Sequence, residues 1–216
     1  KNKKEYVRLK KYWWQFEFPA PKIRKWFGAH TTAFAKSRHA ARWIIVRIES
    51  GSVCSEGTYV FFFEDGSDFA VLQSSIHEHW ARVLGSTLGT GHRYTNVCFD
   101  PFPFPQDPSE EAIEQANIVG EKYMQMRQQL IKKRKCTFND LQSSLDDVNC
   151  KDKDIIKYRQ LTVDLDKSVL AMYGWEDIEY SRDMQIDGEE SRFWPREEVI
   201  ELVLERLIEL NHRLTH

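Results

Sequence analysis

The chain has 216 residues, of which 41% are hydrophobic and 30% are charged, a composition typical of a folded protein with its own core. No apolar run approaches the roughly 20 residues that a membrane-spanning helix needs. The four cysteines are widely spaced and form no C-x-x-C pair, which favours a reduced, cytoplasmic setting. The first residue is not methionine and no signal peptide follows, so we expect part of a longer protein.

The net charge of −2 hides a strong asymmetry along the chain. Residues 1–48 contain thirteen lysines and arginines against two glutamates, a local charge of +11. Residues 1–105 sum to +6 and residues 106–216 to −8. A basic half next to an acidic half indicates a polyanionic partner for the first half, although a solvated surface of uneven charge gives the same pattern.

The first half predicts a mixed α/β region. In chain order we expect a short helix over 22–27 and strands over 31–34, 43–48, 58–63 and 69–72. These strands are rich in β-branched and aromatic residues. The turn chemistry of Glu64-Asp65-Gly66 predicts that the last two strands form a hairpin.

A helix and two irregular segments follow the predicted hairpin. Ser74 and Ser75 are expected to cap a helix that ends near Gly85, because apolar residues recur there at helical spacing. Residues 85–96 are glycine-rich and predict a loop. Three prolines within residues 101–105 exclude regular structure and mark a boundary.

The second half predicts helices. They are expected over 109–133, over 138–145 with Thr137 as the cap, over 154–172 with Gly174 as the stop, and from Pro195 onward. Residues 176–192 are polar and acidic and predict an exposed connection. We therefore predict an α+β fold, with a mixed α/β domain and its small β-sheet over residues 1–105 and an all-α helical domain over residues 106–216.

Catalytic signatures are missing from the sequence. It contains no glycine-rich cofactor or phosphate loop, no nucleophile elbow and no zincin motif. His77 and His79 are two residues apart, which places them on different faces of a helix and makes a poor metal pair. We expect His77 to be a packed histidine bonded to a neighbouring loop. The residues alone thus predict a binding module.

The basic segment contains the chemistry of nucleic-acid binding. Basic side chains alternate there with hydroxyl groups, notably at Lys36-Ser37-Arg38-His39. Such side chains can hold phosphates and contact base edges. A lysine-rich solvated surface remains the alternative at this point.

Residues 72–105 contain an ordered set of motifs. Its members are Ser74, Ser75, His77 and Trp80 in the predicted helix, Leu88, Gly89, Arg93, Tyr94 and Thr95 in the loop, and the Phe-Pro-Phe-Pro run of Phe102–Pro105. This set resembles the end of the target-recognition region in large single-chain bacterial adenine-specific DNA methyltransferases. These proteins include restriction–modification enzymes and related phage-defence methylases.

Weaker similarity to the same proteins continues on both sides, in the same order. Trp13-Trp14 resembles the entry of that region and Lys36–His39 its turn between strands. Leu170–Trp175 and Val203–Arg213 resemble the helical tail.

The resemblance implies a region that recognises a DNA sequence and directs methylation by a catalytic domain. In such proteins the S-adenosylmethionine loop and the Asn-Pro-Pro-Tyr/Phe motif lie N-terminal to this region, and this sequence has neither. We therefore expect no catalytic residue, metal or cofactor within this chain, and S-adenosylmethionine in the parent protein. The expected partners are double-stranded DNA and the catalytic domain of the same polypeptide, with a fused nuclease possible in the parent.

The resemblance and the basic segment together define candidate DNA-binding residues. Phosphate contacts are assigned to Arg8, Lys10, Lys11, Lys22, Arg24 and Lys25. Base contacts are assigned to Lys36, Arg38, His39 and Arg42, with Thr31, Ser37 and Asn96 as secondary candidates. Arg93 either holds a phosphate or ties down its own loop. Trp80, Tyr94, Phe102 and Phe104 are expected to be architectural.

Two alternatives stay open. One is a non-catalytic protein-interaction module whose contact surface is the helical half. The other is a stand-alone specificity subunit that recruits separate methylase chains.

Overall fold

The computed structural model describes residues 21–88, 91–187 and 190–215, with small antiparallel sheets in the first half and helices in the second. The first half contains α1 (Pro21–Trp26), β1 (Thr32–Ser37), β2 (His39–Ala40), β3 (Val46–Glu49), β4 (Thr58–Phe61), α2 (Gly66–Gln73), α3 (Ser75–Leu84), β5 (Ser86–Leu88), β6 (Gly91–Arg93) and α4 (Asn96–Phe99). The second half contains α5 (Glu110–Arg134), α6 (Phe138–Asp146), α7 (Lys153–Met172), β7 (Arg182–Asp187), β8 (Glu190–Pro195) and α8 (Glu197–Thr215).

The first sheet has the antiparallel order β3-β1-β4. Its central strand β1 is almost entirely buried, and Phe34 lies opposite Arg47 on one neighbour and Phe61 on the other. The strands predicted over 31–34 and 58–63 are thus confirmed in position. Of the strand predicted over 43–48, only the part from Val46 onward forms.

The side chain of Gln73 makes hydrogen bonds to residues 43–45 that a neighbouring strand would otherwise make. The amide of Gln73 accepts a hydrogen bond from the Ile45 N–H (2.9 Å) and donates one to the Trp43 carbonyl (3.1 Å). The Trp43 indole N–H donates to the Leu72 carbonyl at 2.8 Å. The backbone of 43–45 is therefore bonded to α2 rather than to a neighbouring strand.

The prediction of a strand over 69–72 is wrong, because these residues belong to α2. All four are buried, and a continuous apolar run does not distinguish a buried strand from a buried helix. The helix packs closely on α5: a Cβ added to Gly120 would lie 2.0 Å from the Gly66 carbonyl oxygen. This contact needs glycine at position 120, and it was not evident from the sequence.

The glycine-rich segment predicted as a loop contains two strands. β5 and β6 pair with each other, and β6 also pairs with β2, so the order of this second sheet is β2-β6-β5. The helix that precedes it is confirmed: the Ser74 hydroxyl caps α3 by accepting from the His77 N–H at 3.2 Å.

The helices predicted over 109–133, 138–145 and 154–172 are confirmed. Ser109 caps α5, and Thr137 with Asp140 forms a capping box on α6. α7 ends at Met172, just before Gly174, which has a positive φ of 69°.

The exposed connection predicted over 176–192 is wrong. This segment enters the β7–β8 hairpin, where Tyr180 is buried and the Arg182 side chain, only 7% exposed, pairs with the fully buried Asp166. Pro195 is the last residue of β8 rather than the start of the final helix, which begins at Glu197.

One hydrophobic core connects the two halves. Phe34 contacts Phe69 with ring centroids 5.5 Å apart, Phe69 contacts Tyr123 at 5.8 Å, and Tyr123 contacts Tyr158 at 4.9 Å. The α+β fold with a helical C-terminal region is confirmed, and the helical region also contains the β7–β8 hairpin. The division at residue 105 stays a prediction. Among the described helices, none is both long and apolar enough to cross a membrane.

Candidate nucleic-acid interface

The basic residues assigned to phosphate contact fall into two groups. Arg8, Lys10 and Lys11 lie outside the described residues, as does Trp13-Trp14. Lys22, Arg24 and Lys25 are exposed on α1. These three cations form a basic surface at the start of the described chain.

A hydrogen-bond cluster holds α1 against β1. The Trp26 indole donates to the Thr32 carbonyl at 2.7 Å, and the His30 ring stacks on Trp26 with centroids 3.6 Å apart. The Glu64 carboxylate bonds to His30 (2.7 Å) and accepts from the backbone N–H of Thr31 (3.0 Å) and Thr32. These bonds, the one from His30 first, lower the pKa of Glu64. These hydrogen bonds hold the backbone of Thr31 in place, and its side chain is exposed.

The turn between β1 and β2 presents several predicted base-contacting residues. The Ser37 hydroxyl donates to the His39 carbonyl (2.8 Å), while the Arg38 N–H donates to Gly57 (2.8 Å) and the Arg38 carbonyl accepts from the Tyr94 N–H (2.8 Å). Ser37 and His39 are exposed, and Arg38 is partly exposed. The turn is therefore rigid at its base and accessible at its tip.

β6 and the following α4 each carry one more candidate. Arg93 is exposed and pairs through its backbone with His39. Asn96 is exposed at the start of α4, where its amide donates to the Asp100 carboxylate at 3.3 Å. The second sheet thus places His39 and Arg93 side by side, although 54 positions separate them in the sequence.

Lys36 does not have the exposure expected of a base-contacting residue. Its side chain is only 4% exposed and its ammonium group donates to the Ser37 carbonyl at 3.0 Å. The same group lies 4.4 Å from the ring centroid of Trp43 and 5.2 Å from that of Tyr94. Burial lowers the pKa of Lys36 to about 8. In this position Lys36 supports the turn from inside.

Arg42 is held by a carboxylate that sequence reasoning missed. Its guanidinium pairs with Asp146, whose side chain is 4% exposed, whereas that of Arg42 is 36% exposed. The other Asp146 oxygen accepts from the Phe193 N–H at 3.0 Å. Asp146 therefore connects the predicted base-contacting segment to the end of α6 and to β8.

Glu78 forms a second ionic connection nearby. It lies 2.6 Å from both Arg82 and Arg192. Burial raises the pKa of Glu78, but the two arginines outweigh this effect and the pKa is lowered overall. The β7–β8 hairpin is thereby fastened to α3.

A third cluster surrounds Asp166. Its carboxylate accepts from the Ser75 N–H at 2.9 Å, from the Tyr180 hydroxyl and from Arg182 at 2.6 Å. Burial lowers the pKa of Arg182, but Asp166 outweighs this effect and the pKa is raised. The cluster fixes the start of α3 to α7 and β7.

These clusters border a half-open cleft of about 990 Å³. Its walls are the segment Ala41–Trp43, the C-terminal part of α6 and both strands of the β7–β8 hairpin. Within residues 21–88, 91–187 and 190–215, no group of three His, Cys, Asp or Glu residues is arranged to hold a metal ion.

The motif residues expected to be architectural pack in the core, as predicted: Trp80, Tyr94 and Phe102 are buried and Phe104 is packed against them. His77 is fully buried, its Nε2 lies 2.9 Å from the Tyr94 hydroxyl, and burial lowers its pKa to about 3. The Trp80 indole donates to the Cys98 carbonyl at 3.0 Å. Phe102 stacks on His77 with centroids 4.3 Å apart. The packed His77 bonded to a neighbouring segment is confirmed.

Residues 23–106 match the family model described as the target recognition domain of MmeI. This match contains the segment 72–105 and confirms its resemblance to the target-recognition regions of restriction–modification enzymes.

Among solved structures, the chain is similar to the type IIL restriction–modification enzyme MmeI in complex with DNA. The TM-score is 0.66 at 17% sequence identity, and the alignment covers 100% of this chain and 24% of the MmeI chain. At this identity the likeness establishes the fold, including the helical half. The chain spans about a quarter of the length of that enzyme. No curated protein matches the sequence.

Proposed function

We propose that this chain is the DNA sequence-specificity region of a type IIL restriction–modification enzyme. The observation that carries the proposal is the match of residues 23–106 to a target recognition domain. The segment that matches contains the cations of α1, the exposed turn at 37–39 and Arg93, which pairs with His39 of the turn.

In the proposed parent protein, a catalytic domain on the same polypeptide methylates adenine with S-adenosylmethionine. An adenine must leave the base stack before a methyl group can reach its amino nitrogen. The specificity region selects the site and holds the duplex during that step. We place this activity in the cytoplasm, where the DNA partner lies.

Within this function, α1 and the turn have different tasks. Lys22, Arg24 and Lys25 contact phosphates, which contribute affinity without sequence information. Arg38, His39 and Arg42 contact base edges in the major groove, where each base pair presents a distinct pattern of donors and acceptors. Lys36 keeps the turn in place, and Thr31, Ser37, Asn96 and Arg93 supply flanking contacts.

A salt titration tests the proposal. The full-length protein encoded by the gene is titrated against a fluorescent duplex between 50 and 200 mM salt. We expect the logarithm of the binding constant to fall linearly with the logarithm of the salt concentration, because phosphate contacts release counterions. No DNA binding, or binding that salt does not change, would favour the protein-interaction module instead.

The sequence of the gene distinguishes the single-chain enzyme from the remaining alternative, a stand-alone specificity subunit. A cofactor loop and an Asn-Pro-Pro-Tyr motif encoded upstream of Lys1 support the single-chain enzyme. A gene that encodes neither motif indicates a stand-alone specificity subunit.

A further inference from the structure

The half-open cleft of about 990 Å³ has a polar lining contributed mainly by the helical half. Gln142 and Ser143 enter it from α6, and Gln185 enters it from β7. Ala41–Trp43, the end of the segment to which base contacts were assigned, also lines the cleft.

The charges around the cleft are nearly balanced. Four arginines line it, and each is paired: Arg42 with Asp146, Arg82 and Arg192 with Glu78, and Arg182 with Asp166. A phosphate clamp requires cations in excess, because its affinity comes from replacing the counterions of the backbone. The balanced lining therefore favours contacts with neutral hydrogen-bonding groups.

The side chain of Gln185 can make hydrogen bonds to such neutral groups. It is exposed, and within the part of the chain that the structure describes its amide has no hydrogen-bond partner. Gln142 makes one long bond of 3.4 Å to Asp146. A glutamine amide offers one acceptor and two donors, and it pairs in a bidentate manner with the N6 and N7 edge of adenine.

The cleft adjoins the predicted DNA surface directly. Arg42 and Arg82, which line the cleft, also border a small cavity next to His92 and Arg93 on β6. The cleft and the predicted DNA surface are therefore neighbours, joined through Arg42 and Arg82.

We propose that the cleft contacts the edges of bases in the target DNA, with Gln185 as a specificity-determining residue and Gln142 beside it. DNA recognition then extends from the matched domain at residues 23–106 to the β7–β8 hairpin. This inference rests on the proposed function and adds a second set of base contacts to it.

Site selection tests the inference with the full-length protein and a pool of duplexes that have a randomised central segment. The bound duplexes are sequenced for the wild type, Gln185→Ala and Gln142→Ala. Gln128→Ala, an exposed glutamine of α5 outside the cleft, is the matched control. Thermal unfolding of each variant is measured in parallel, and both cleft side chains can be removed without creating a buried cavity because neither is buried.

We expect Gln185→Ala to lose preference at one position of the consensus, by about 5- to 150-fold, while Gln128→Ala keeps the wild-type consensus. An unchanged consensus in both cleft variants, or a loss of affinity that is equal for all sequences, overturns the inference. These outcomes differ from failure of the proposed function, in which the wild-type protein itself selects no duplex.

Discussion

The scaffold formed by the buried residues around His77, Trp80 and Tyr94 and the exposed turn at 37–39 lie in the same matched segment but follow different rules. In the scaffold, buried polar side chains contact one another inside the protein, as the Tyr94 hydroxyl does the Nε2 atom of His77. In the turn, the backbone is bonded inside and the side chains of Ser37 and His39 point outward. A domain built this way can change its exposed side chains while its packing stays constant, which is what a sequence-specificity region needs.

The largest loss of stability is expected when a buried ionic cluster that holds the scaffold in place is broken. Asp166→Ala removes the carboxylate that pairs with the guanidinium of Arg182, and we expect the free energy of unfolding to fall by about 3–5 kcal/mol. Urea denaturation measures this change. Asp177→Ala, which removes an exposed partner of Arg206, is the control and should change little. Equal effects of both variants would contradict the structural role of the Asp166 cluster.

The scaffold should also respond to acid through His77. Because its pKa is lowered to about 3 in the folded protein and is about 6.5 when unfolded, the unfolded state binds one more proton between these values. The contribution of the neutral His77 to the free energy of unfolding is therefore fully present above pH 6.5, and it is lost as the pH falls toward 3. We expect the wild type to lose about 1.4 kcal/mol per pH unit more than His77→Gln over this window. Parallel pH profiles of the two proteins would show that His77 is not held neutral.

Substitutions in the turn should have the opposite effect: the protein should lose DNA-sequence specificity and keep its stability. Arg38→Ala is expected to reduce discrimination at one base pair by about 1–3 kcal/mol. Competition between the target duplex and single-base variants measures the loss, and thermal unfolding checks the fold. A drop in melting temperature with unchanged discrimination would assign Arg38 to the scaffold.

The smallest effect is expected on α1. Lys25→Ala should weaken binding to all duplexes alike and reduce the slope of the salt dependence by about 0.9. The measurement is a salt titration of target and non-target duplexes. A loss confined to the target sequence would instead indicate a base contact at Lys25.

The sequence predicted the elements whose signals are local. Apolar spacing defines α5, and the capping residue Thr137 defines the start of α6, within a few neighbouring positions. The family resemblance also came from one continuous segment, and the match over residues 23–106 contains it.

The errors occurred where distant contacts decide the structure. The run 69–72 is helical because α2 packs on α5, with Gly66 close to Gly120. The segment 182–195 becomes a hairpin because buried carboxylates of α3, α6 and α7 bind its arginines and backbone.

In the candidate site, too, contacts between distant residues could not be predicted from the sequence. Arg42 and Asp146 are 104 positions apart, and no pattern in the sequence pairs them. The burial of Lys36 beneath the turn likewise depends on the rings of Trp43 and Tyr94. Residue type identified the basic surface, but it could not distinguish the side chains that face outward from those that support it.

The most direct test of DNA selection by this domain is a site-selection experiment with the double variant Arg38→Ala/His39→Ala. Full-length wild-type and variant proteins are each mixed with a duplex pool that has a randomised centre, and the bound DNA is sequenced. We expect the variant to keep its melting temperature and its salt-dependent DNA binding but to lose preference at the positions that the turn contacts. A folded variant that selects the wild-type consensus would contradict the assignment of base recognition to this turn.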